Sequence, residues 1–180
     1  MKSIAVYCGA ATGADPRHAD AARALARALV DHNISLVYGG GKVGLMGVIA
    51  DEVLRLGGEA TGVIPRALVE REVGHTGLTR LFVVKDMHER KAMMSDLADG
   101  FIAMPGGMGT LEELFEMVTW AQLGIHAKPI GLYNVNGFWD RLVALVEHMV
   151  QEGFVRPAHA ALLLRDADPD ALIRSLRGAP

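Results

Sequence analysis

The sequence predicts an α/β fold in which a doubly wound parallel sheet carries helices on both faces, a Rossmann-like architecture. Two observations predict it. Short apolar runs alternate along the chain with segments of helical period, which is the order of βαβ units. The runs are apolar at successive positions, and this pattern is typical of parallel strands covered on both faces. Right-handed crossovers are expected to join neighbouring strands.

The individual elements follow from residue types and from the residues that bound them. Six apolar runs, mostly β-branched or aromatic and bounded by glycine, proline or charge, predict strands at residues 3–8, 35–38, 59–64, 80–84, 100–104 and 129–133. Helical spacing of apolar residues predicts helices at residues 16–31, 43–56, 87–97, 111–123 and 138–151. The end of the chain, from about residue 174, is expected to fray.

Length and composition limit the possible functions. The 180 residues are predicted to form a single domain, residues 1–180. The net charge of −3 argues against binding of nucleic acid or of an acidic membrane by bulk electrostatics, and no apolar run is long enough to span a bilayer. Cys8 is the single cysteine, so no intrachain disulfide can form. We therefore expect a cytoplasmic protein.

Three glycine-rich segments follow predicted strands, at residues 8–13, 39–47 and 104–114. Ligands of open α/β sheets bind beyond the carboxyl ends of the strands, where such loops lie. Glycine lets the backbone approach a ligand closely. The three loops are therefore expected to meet at one binding site.

The familiar cofactor motifs do not fit these loops. None places G-x-G-x-x-G after the first strand, and Val43 follows Lys42 where a P-loop needs serine or threonine. The histidines show no spacing typical of metal ligands. The sequence therefore predicts neither a bound metal nor a dinucleotide cofactor.

The junction at residues 104–114 combines a glycine turn, a helix start and two adjacent carboxylates. The unpaired N–H groups and the dipole of a helix start favour a bound phosphate. Thr110 and Glu113 also fit a capping box, in which the Thr110 hydroxyl accepts a hydrogen bond from the Glu113 N–H. From the residues alone, a structural cap and a catalytic carboxylate are about equally supported for Glu113. Glu112 has no capping role and is interpreted as a solvated charge unless it serves the site.

Arg90 is a charge on the apolar side of the predicted helix at residues 87–97. By i, i+4, i+7 spacing it shares a stripe with Met87, Met94 and Leu97. A charge directed inward needs an anionic partner. That partner is either a structural carboxylate or, across the crevice, Glu113 or a substrate anion.

Two neighbours of Arg90 are also informative. Asp86 is the predicted N-cap of the same helix. Lys91 lies beside the apolar stripe and is expected to be a solvated charge, with a phosphate contact as the alternative.

With these segments in hand, the chain closely resembles the LOG (Lonely Guy) family of phosphoribohydrolases, whose motif P-G-G-x-G-T-x-x-E is present at residues 105–113. The similarity extends to residues 36–41, 44–47, 62–65, 87–91, 119–120, 122–126 and 128–129. Members hydrolyse the N-glycosidic bond of adenine-type nucleoside 5′-monophosphates to free base and ribose 5-phosphate, usually as homodimers without metal. The resemblance implies this reaction, no cofactor and a homodimer.

The resemblance also implies roles for individual residues, with Arg90 and Glu113 as the catalytic pair. Together with the glycine-rich loops it predicts substrate contacts from Gly9, Gly40, Gly41, Glu72, Lys91, Gly106, Gly107, Met108, Gly109, Thr110, Leu111, Glu112 and Thr119. A departure is Ala10, where many members carry serine, so a hydroxyl contact is absent. Glu113 would stabilise positive charge on the sugar or activate water, while Arg90 would hold that carboxylate or bind the substrate anion.

Two other functions remain open. Phosphate-binding loops are also expected in a non-enzymatic nucleotide or cofactor carrier on the same fold. A lysine decarboxylase, a label sometimes given to similar sequences, would need a Schiff-base lysine, and no lysine has a context that marks it as one. The sequence does not decide between adenine and an N6-substituted adenine as the base.

Overall fold

The computed structural model describes residues 1–69 and 74–179. Its strands are β1 (Ser3–Tyr7), β2 (Ser35–Tyr38), β3 (Ala60–Pro65), β4 (Arg80–Val84), β5 (Phe101–Ala103), β6 (Ile130–Tyr133) and β7 (Leu163–Asp166). They form one seven-stranded sheet in the order β4-β3-β2-β1-β5-β6-β7, and every pair of neighbours is parallel. The predicted doubly wound α/β fold is confirmed.

Helices cover both faces of this sheet. They are α1 (Arg17–Asp31), α2 (Gly44–Arg55), α3 (Met87–Leu97), α4 (Met108–Gln122), α5 (Asp140–Gln151), α6 (Pro157–Ala160) and α7 (Pro169–Gly178). Helices α1, α2 and α7 contribute to one apolar cluster, and α3, α4 and α5 to the other. Within residues 1–69 and 74–179, no helix has the length and apolar character needed to cross a membrane.

Strand β1 shows why the predicted strands lack polar positions. Ile4 and Val6 belong to the cluster under α1 and α2, while Ala5 and Tyr7 belong to the cluster under α3 and α4. All four side chains are at most 2% exposed. Because successive strand residues point to opposite faces and both faces are covered, β1 is apolar throughout.

The order of strands reverses at β1, which pairs with β2 on one side and β5 on the other. Beyond the carboxyl ends of β1 and β5, the Gly9 N–H donates to the Pro105 carbonyl at 3.1 Å. The Leu45 N–H at the start of α2 donates to the Gly9 carbonyl at 3.0 Å. The loops after β1, β2 and β5 therefore meet at the reversal point, where α/β sheets bind ligands.

The end of the chain differs from the expectation. Strand β7 and helices α6 and α7 are absent from the predicted elements. Helix α7 is capped by Asp168, whose carboxylate accepts from the Ala171 N–H at 2.7 Å, and it continues to Gly178. Leu176 is 1% exposed in the cluster with α1, so this segment is packed where fraying was expected.

Glycine at position 44 is predicted to be essential for the close contact between the loop after β1 and the start of α2. Both Gly44 and Gly57 have left-handed backbones, with φ of 60° and 81°. A Cβ on Gly44 would lie 2.2 Å from the Ala10 carbonyl carbon, whereas a Cβ on Gly57 would have no described atom within 4 Å. Gly57→Ala should therefore lower the free energy of unfolding by about 1 kcal/mol, through backbone strain alone. Gly44→Ala should lower it by about 3 kcal/mol or more. Urea unfolding measures both, and equal losses would contradict the clash.

Candidate active site

Helix α4 begins earlier than predicted, at Met108, with Gly107 as the N-cap. Thr110 therefore lies inside the first turn, and no side chain of the described residues caps this helix. The predicted capping box is wrong because glycine itself takes the extended cap conformation, three residues before the threonine. Thr110 is 3% exposed, and its hydroxyl oxygen would lie 2.1 Å from a Cβ on Gly106. Glycine at position 106 thus makes room for the buried threonine.

The start of α4 presents backbone donors to solvent. Gly107, Met108 and Gly109 are exposed, and the first N–H groups of a helix have no partner within it. A cavity of about 340 Å³ beside this turn is lined by residues that include Gly9, Gly106 and Gly107. The predicted contacts from the first and third glycine-rich loops are therefore brought together at a place suited to an anion.

Arg90 is fixed at the ends of β2 and β3. Its Nε donates to the Val63 carbonyl and its Nη2 to the Gly39 carbonyl, both at 3.1 Å. A Cβ on Gly39 would lie 1.9 Å from that Nη2, so the guanidinium occupies the place of a side chain. The predicted cap of α3 is confirmed, because the Asp86 carboxylate accepts from the N–H groups of two first-turn residues at 3.0 Å.

The buried Arg90 faces Glu113 across the crevice, which is one of the two predicted alternatives. Arg90 is 5% and Glu113 9% exposed, and the Arg90 Nη1 lies 3.9 Å from the Glu113 Oε1. This distance is an ion pair that is longer than a direct hydrogen bond. Each charge compensates the other where an uncompensated charge would be costly. The geometry therefore joins the first turns of α3 and α4 across the crevice.

Lys91 forms a second link between the two helices. Its Nζ donates to the Glu116 Oε1 at 3.0 Å and also to Glu112. Burial lowers the pKa of Lys91, but the hydrogen bonds to the two carboxylates outweigh it and the pKa is raised. Lys91 is 4% exposed, so the expectation of a solvated charge is wrong. Glu116 was not among the predicted site residues, although it lies one turn after Glu112 on the same side of α4.

Tyr7 and Cys8 lie at the end of β1 beside these carboxylates. Burial raises the pKa of Tyr7, and the nearby charges of Glu113 and Glu116 raise it further. Burial, followed by the charge of Glu113, raises the pKa of the Cys8 thiol. Both groups are therefore neutral at physiological pH, and Cys8 lacks the thiolate that nucleophilic catalysis would need.

The loop after β2 is hydrogen-bonded to the segment that precedes β4. Gly40 has a φ of 77°, and its carbonyl accepts from the His75 N–H at 3.0 Å. Gly41 pairs with Gly74 in an isolated antiparallel bridge. Gly40 and Gly41 thus line the same edge as Arg90. Glu72, a predicted substrate contact, lies outside the described residues.

The remaining predicted contacts lie on the outer face of α4. Leu111, Glu112 and Thr119 line a groove of about 600 Å³ together with Phe115, Glu116 and Trp120. Thr119 is exposed and donates to the Phe115 carbonyl at 2.7 Å. It lies about 13 Å along the helix from Thr110, from the rise of 1.5 Å per residue. The structure therefore places Thr119 away from the glycine turn of its own chain.

Elsewhere in residues 1–69 and 74–179, the structure shows no comparable grouping of buried charged side chains beside a cavity. A cavity of about 720 Å³ before β6 and β7 is lined mostly by apolar residues and contains none of the predicted site residues. In the part of the chain that the structure describes, no three histidine, cysteine or acidic side chains are grouped as ligands for a metal ion. The charged groups of α3 and α4 thus remain the principal candidate site.

Comparisons with known proteins show which family the chain resembles. The model of a family described as possible lysine decarboxylase matches residues 46–176. The cytokinin riboside 5′-monophosphate phosphoribohydrolase LOG7 of Arabidopsis thaliana is 46% identical over 176 residues, covering 98% of this chain and 81% of that protein. The cytokinin riboside 5′-monophosphate phosphoribohydrolase of Rhodococcoides fascians is 44% identical over 177 residues, covering 98% and 89%.

Solved structures with the same fold include carriers of a cofactor. The molybdenum cofactor carrier protein of Chlamydomonas reinhardtii superimposes with a TM-score of 0.73 at 19% identity, covering 98% of this chain and 96% of that one. The molybdenum cofactor binding protein of Rippkaea orientalis has a TM-score of 0.71 at 18% identity, covering 98% and 95%. At this level of identity the likeness establishes the fold alone.

Proposed function

The chain belongs to the LOG family of phosphoribohydrolases, and we propose that it hydrolyses the N-glycosidic bond of adenine-type nucleoside 5′-monophosphates. The products would be the free base and ribose 5-phosphate. The observation that carries this proposal is the buried Arg90–Glu113 pair beside the exposed start of α4. The names of the two curated relatives describe the same reaction on cytokinin riboside 5′-monophosphates.

The start of α4 supplies the phosphate anchor in this proposal. Met108 and Gly109 are exposed residues, and their N–H groups lie at the positive end of the helix dipole. Glu113 follows Thr110 by three residues, about 4.5 Å along the axis. This distance is comparable with the length of a ribose. A phosphate held at the helix start would therefore place the sugar beside Glu113, which is the contribution of positioning to catalysis.

Glu113 and Arg90 then divide the chemistry. As the C1′–N9 bond breaks, its electron pair goes to the base and positive charge develops on the sugar. A carboxylate beside C1′ stabilises that charge more in the transition state than in the bound substrate. Water attacks C1′ and Glu113 accepts its proton, while the departing base takes up a proton from solvent and leaves as the neutral free base. Arg90, held by the carbonyls of Val63 and Gly39, keeps the carboxylate oriented.

The proposed reaction is tested with three substrates. AMP, N6-isopentenyladenosine 5′-monophosphate and adenosine are incubated with the protein, and free base is measured by chromatography. Base release is expected from one or both monophosphates. Adenosine, which lacks the anchor, should show a kcat/KM lower by about 100-fold or more. Equal turnover of adenosine would contradict the phosphate anchor. Tight binding of AMP without any base release would favour a carrier.

Removing either member of the buried pair should abolish most turnover. Glu113→Gln and Arg90→Ala are each expected to lower kcat by about 100-fold or more, because charge stabilisation and proton transfer are lost. Steady-state kinetics measures the loss, and circular dichroism checks the fold. Arg55→Ala is the matched control, since Arg55 pairs with Glu52 at 2.7 Å on α2, away from the site. Near-normal turnover of folded Glu113→Gln would refute the assignment.

We also propose that the chain forms a homodimer through the outer face of α4. Exposed apolar residues at its end include Leu123 and Ile125, at 70% and 62% exposure. Phe115 and Trp120 of the same helix line the groove described above. Thr119, far from the glycine turn of its own chain, would lie at the boundary with a second copy. An apolar exposed face of this kind is typical of an association surface.

The proposed dimer is tested by placing a charge on this face. Leu123→Glu should shift the protein towards the monomer, because a buried charge at a contact between two copies is unfavourable. Sedimentation velocity measures the change. Phe154→Glu is the matched control, since Phe154 is 86% exposed but follows α5 instead of α4. A wild-type monomer, or a dimer broken equally by both variants, would contradict the assignment of α4.

A further inference from the structure

One carboxylate oxygen of Glu116 is buried at the edge of the proposed site and lacks a hydrogen-bond partner among the described residues. One oxygen, Oε1, accepts from the Lys91 Nζ at 3.0 Å. The other, Oε2, is buried and has no hydrogen-bond partner within the described part of the chain. A buried acceptor of this kind is costly, so its retention calls for a function.

A matching donor lies close by. The Tyr7 hydroxyl is buried in a residue that is 2% exposed, and it too has no partner among the residues that the structure describes. Its ring stacks on Phe101 with the centroids 6.1 Å apart, which fixes the direction of the hydroxyl. The charges of Glu113 and Glu116 both act on this hydroxyl. A hydrogen bond between the two, direct or through one water molecule, would satisfy both groups.

Lys91 connects this pair of groups to the proposed catalytic pair. It follows Arg90 directly on α3, and Glu116 lies three residues after Glu113 on α4. Two ion pairs therefore cross the same interface side by side, Arg90 with Glu113 and Lys91 with Glu116. The exposed Glu112 also pairs with Lys91, but 54% of its side chain is in solvent, so its charge is more strongly screened.

We propose that Glu116 and Lys91 are positioning residues, which set the orientation and charge state of Glu113 in the reaction. The inference rests on the proposed function, because Glu113 must be the catalytic carboxylate for the pair to act through it. Glu116 does not need to touch the substrate. It holds Lys91 between the helices.

Glu116 and Lys91 have opposite effects on the ionisation of Glu113. Within the described part of the chain, the charged groups near this carboxylate include Arg90, which pairs with it, and Lys91, which pairs with the two other glutamates of α4. Tyr7 and Cys8 are neutral groups at the end of β1. A neighbouring carboxylate disfavours ionisation of Glu113, and a neighbouring ammonium favours it. Removing Glu116 and removing Lys91 should therefore shift the acidic limb of the pH profile of kcat in opposite directions.

The experiment compares Glu116→Gln, Lys91→Met and Lys91→Arg with the wild-type protein, using AMP or its N6-isopentenyl derivative as substrate. Glu116→Gln should lower kcat by about tenfold or more with KM changed less than about threefold, because positioning is lost and binding is not. Its acidic limb should move to lower pH by about one unit, and that of Lys91→Met to higher pH by a similar amount. Lys91→Arg, which keeps the positive charge, should leave the acidic limb at its wild-type pH.

Glu52→Gln is the matched control, since Glu52 is a buried carboxylate, 8% exposed, paired with Arg55 on α2. It should leave kcat and the acidic limb unchanged. A purely structural role for Glu116 would lower the yield of folded protein without moving the limb, and this would overturn the proposal. A raised KM with normal kcat would also overturn it, because Glu116 would then bind substrate. If the wild type releases no base from either monophosphate, the proposed function itself fails, and that result is distinct from wild-type behaviour of Glu116→Gln.

Discussion

The site depends on charge compensation between the first turns of two helices that leave the same edge of the sheet. Arg90 and Lys91 on α3 face Glu113 and Glu116 on α4, and three of these four residues are less than 10% exposed. None of these charges could be buried alone, because the cost of desolvation would exceed any gain from packing. The helices must therefore keep the register in which the charges meet. The glycine turns and the strand ends are arranged around that register.

The fold supplies the register through its central strand. Reversal of strand order at β1 places the starts of α3 and α4 on one face of the sheet, on either side of Tyr7. Backbone carbonyls at Gly39 and Val63 then anchor the arginine without adding another charge. Such anchoring keeps the guanidinium in place before any substrate arrives, which is the preorganisation that electrostatic catalysis requires.

Local sequence patterns predicted much of this arrangement. They failed where the contact partners of a residue lie in distant segments of the chain. Alternation of elements predicted the sheet, and i, i+4 spacing predicted that Arg90 points inward, because both signals lie within a short stretch of chain. The burial of Lys91 was missed, since its partners lie on α4, more than twenty residues away. The cap of α4 was misplaced because glycine and threonine can both end a loop. Helix α7 carried a readable signal in Asp168 followed by Pro169, but its apolar face is explained only by packing on α1.

The contact between Gly39 and Arg90 links two positions that are fifty-one residues apart in the chain. The guanidinium fills the space that any side chain at position 39 would need. A larger residue at position 39 is therefore compatible with this fold only when position 90 carries a shorter or differently directed side chain. In evolutionary terms the two sites are epistatic, since the effect of a change at one depends on the residue at the other. Divergence of the reaction within this scaffold would thus pass through paired changes at positions 39 and 90.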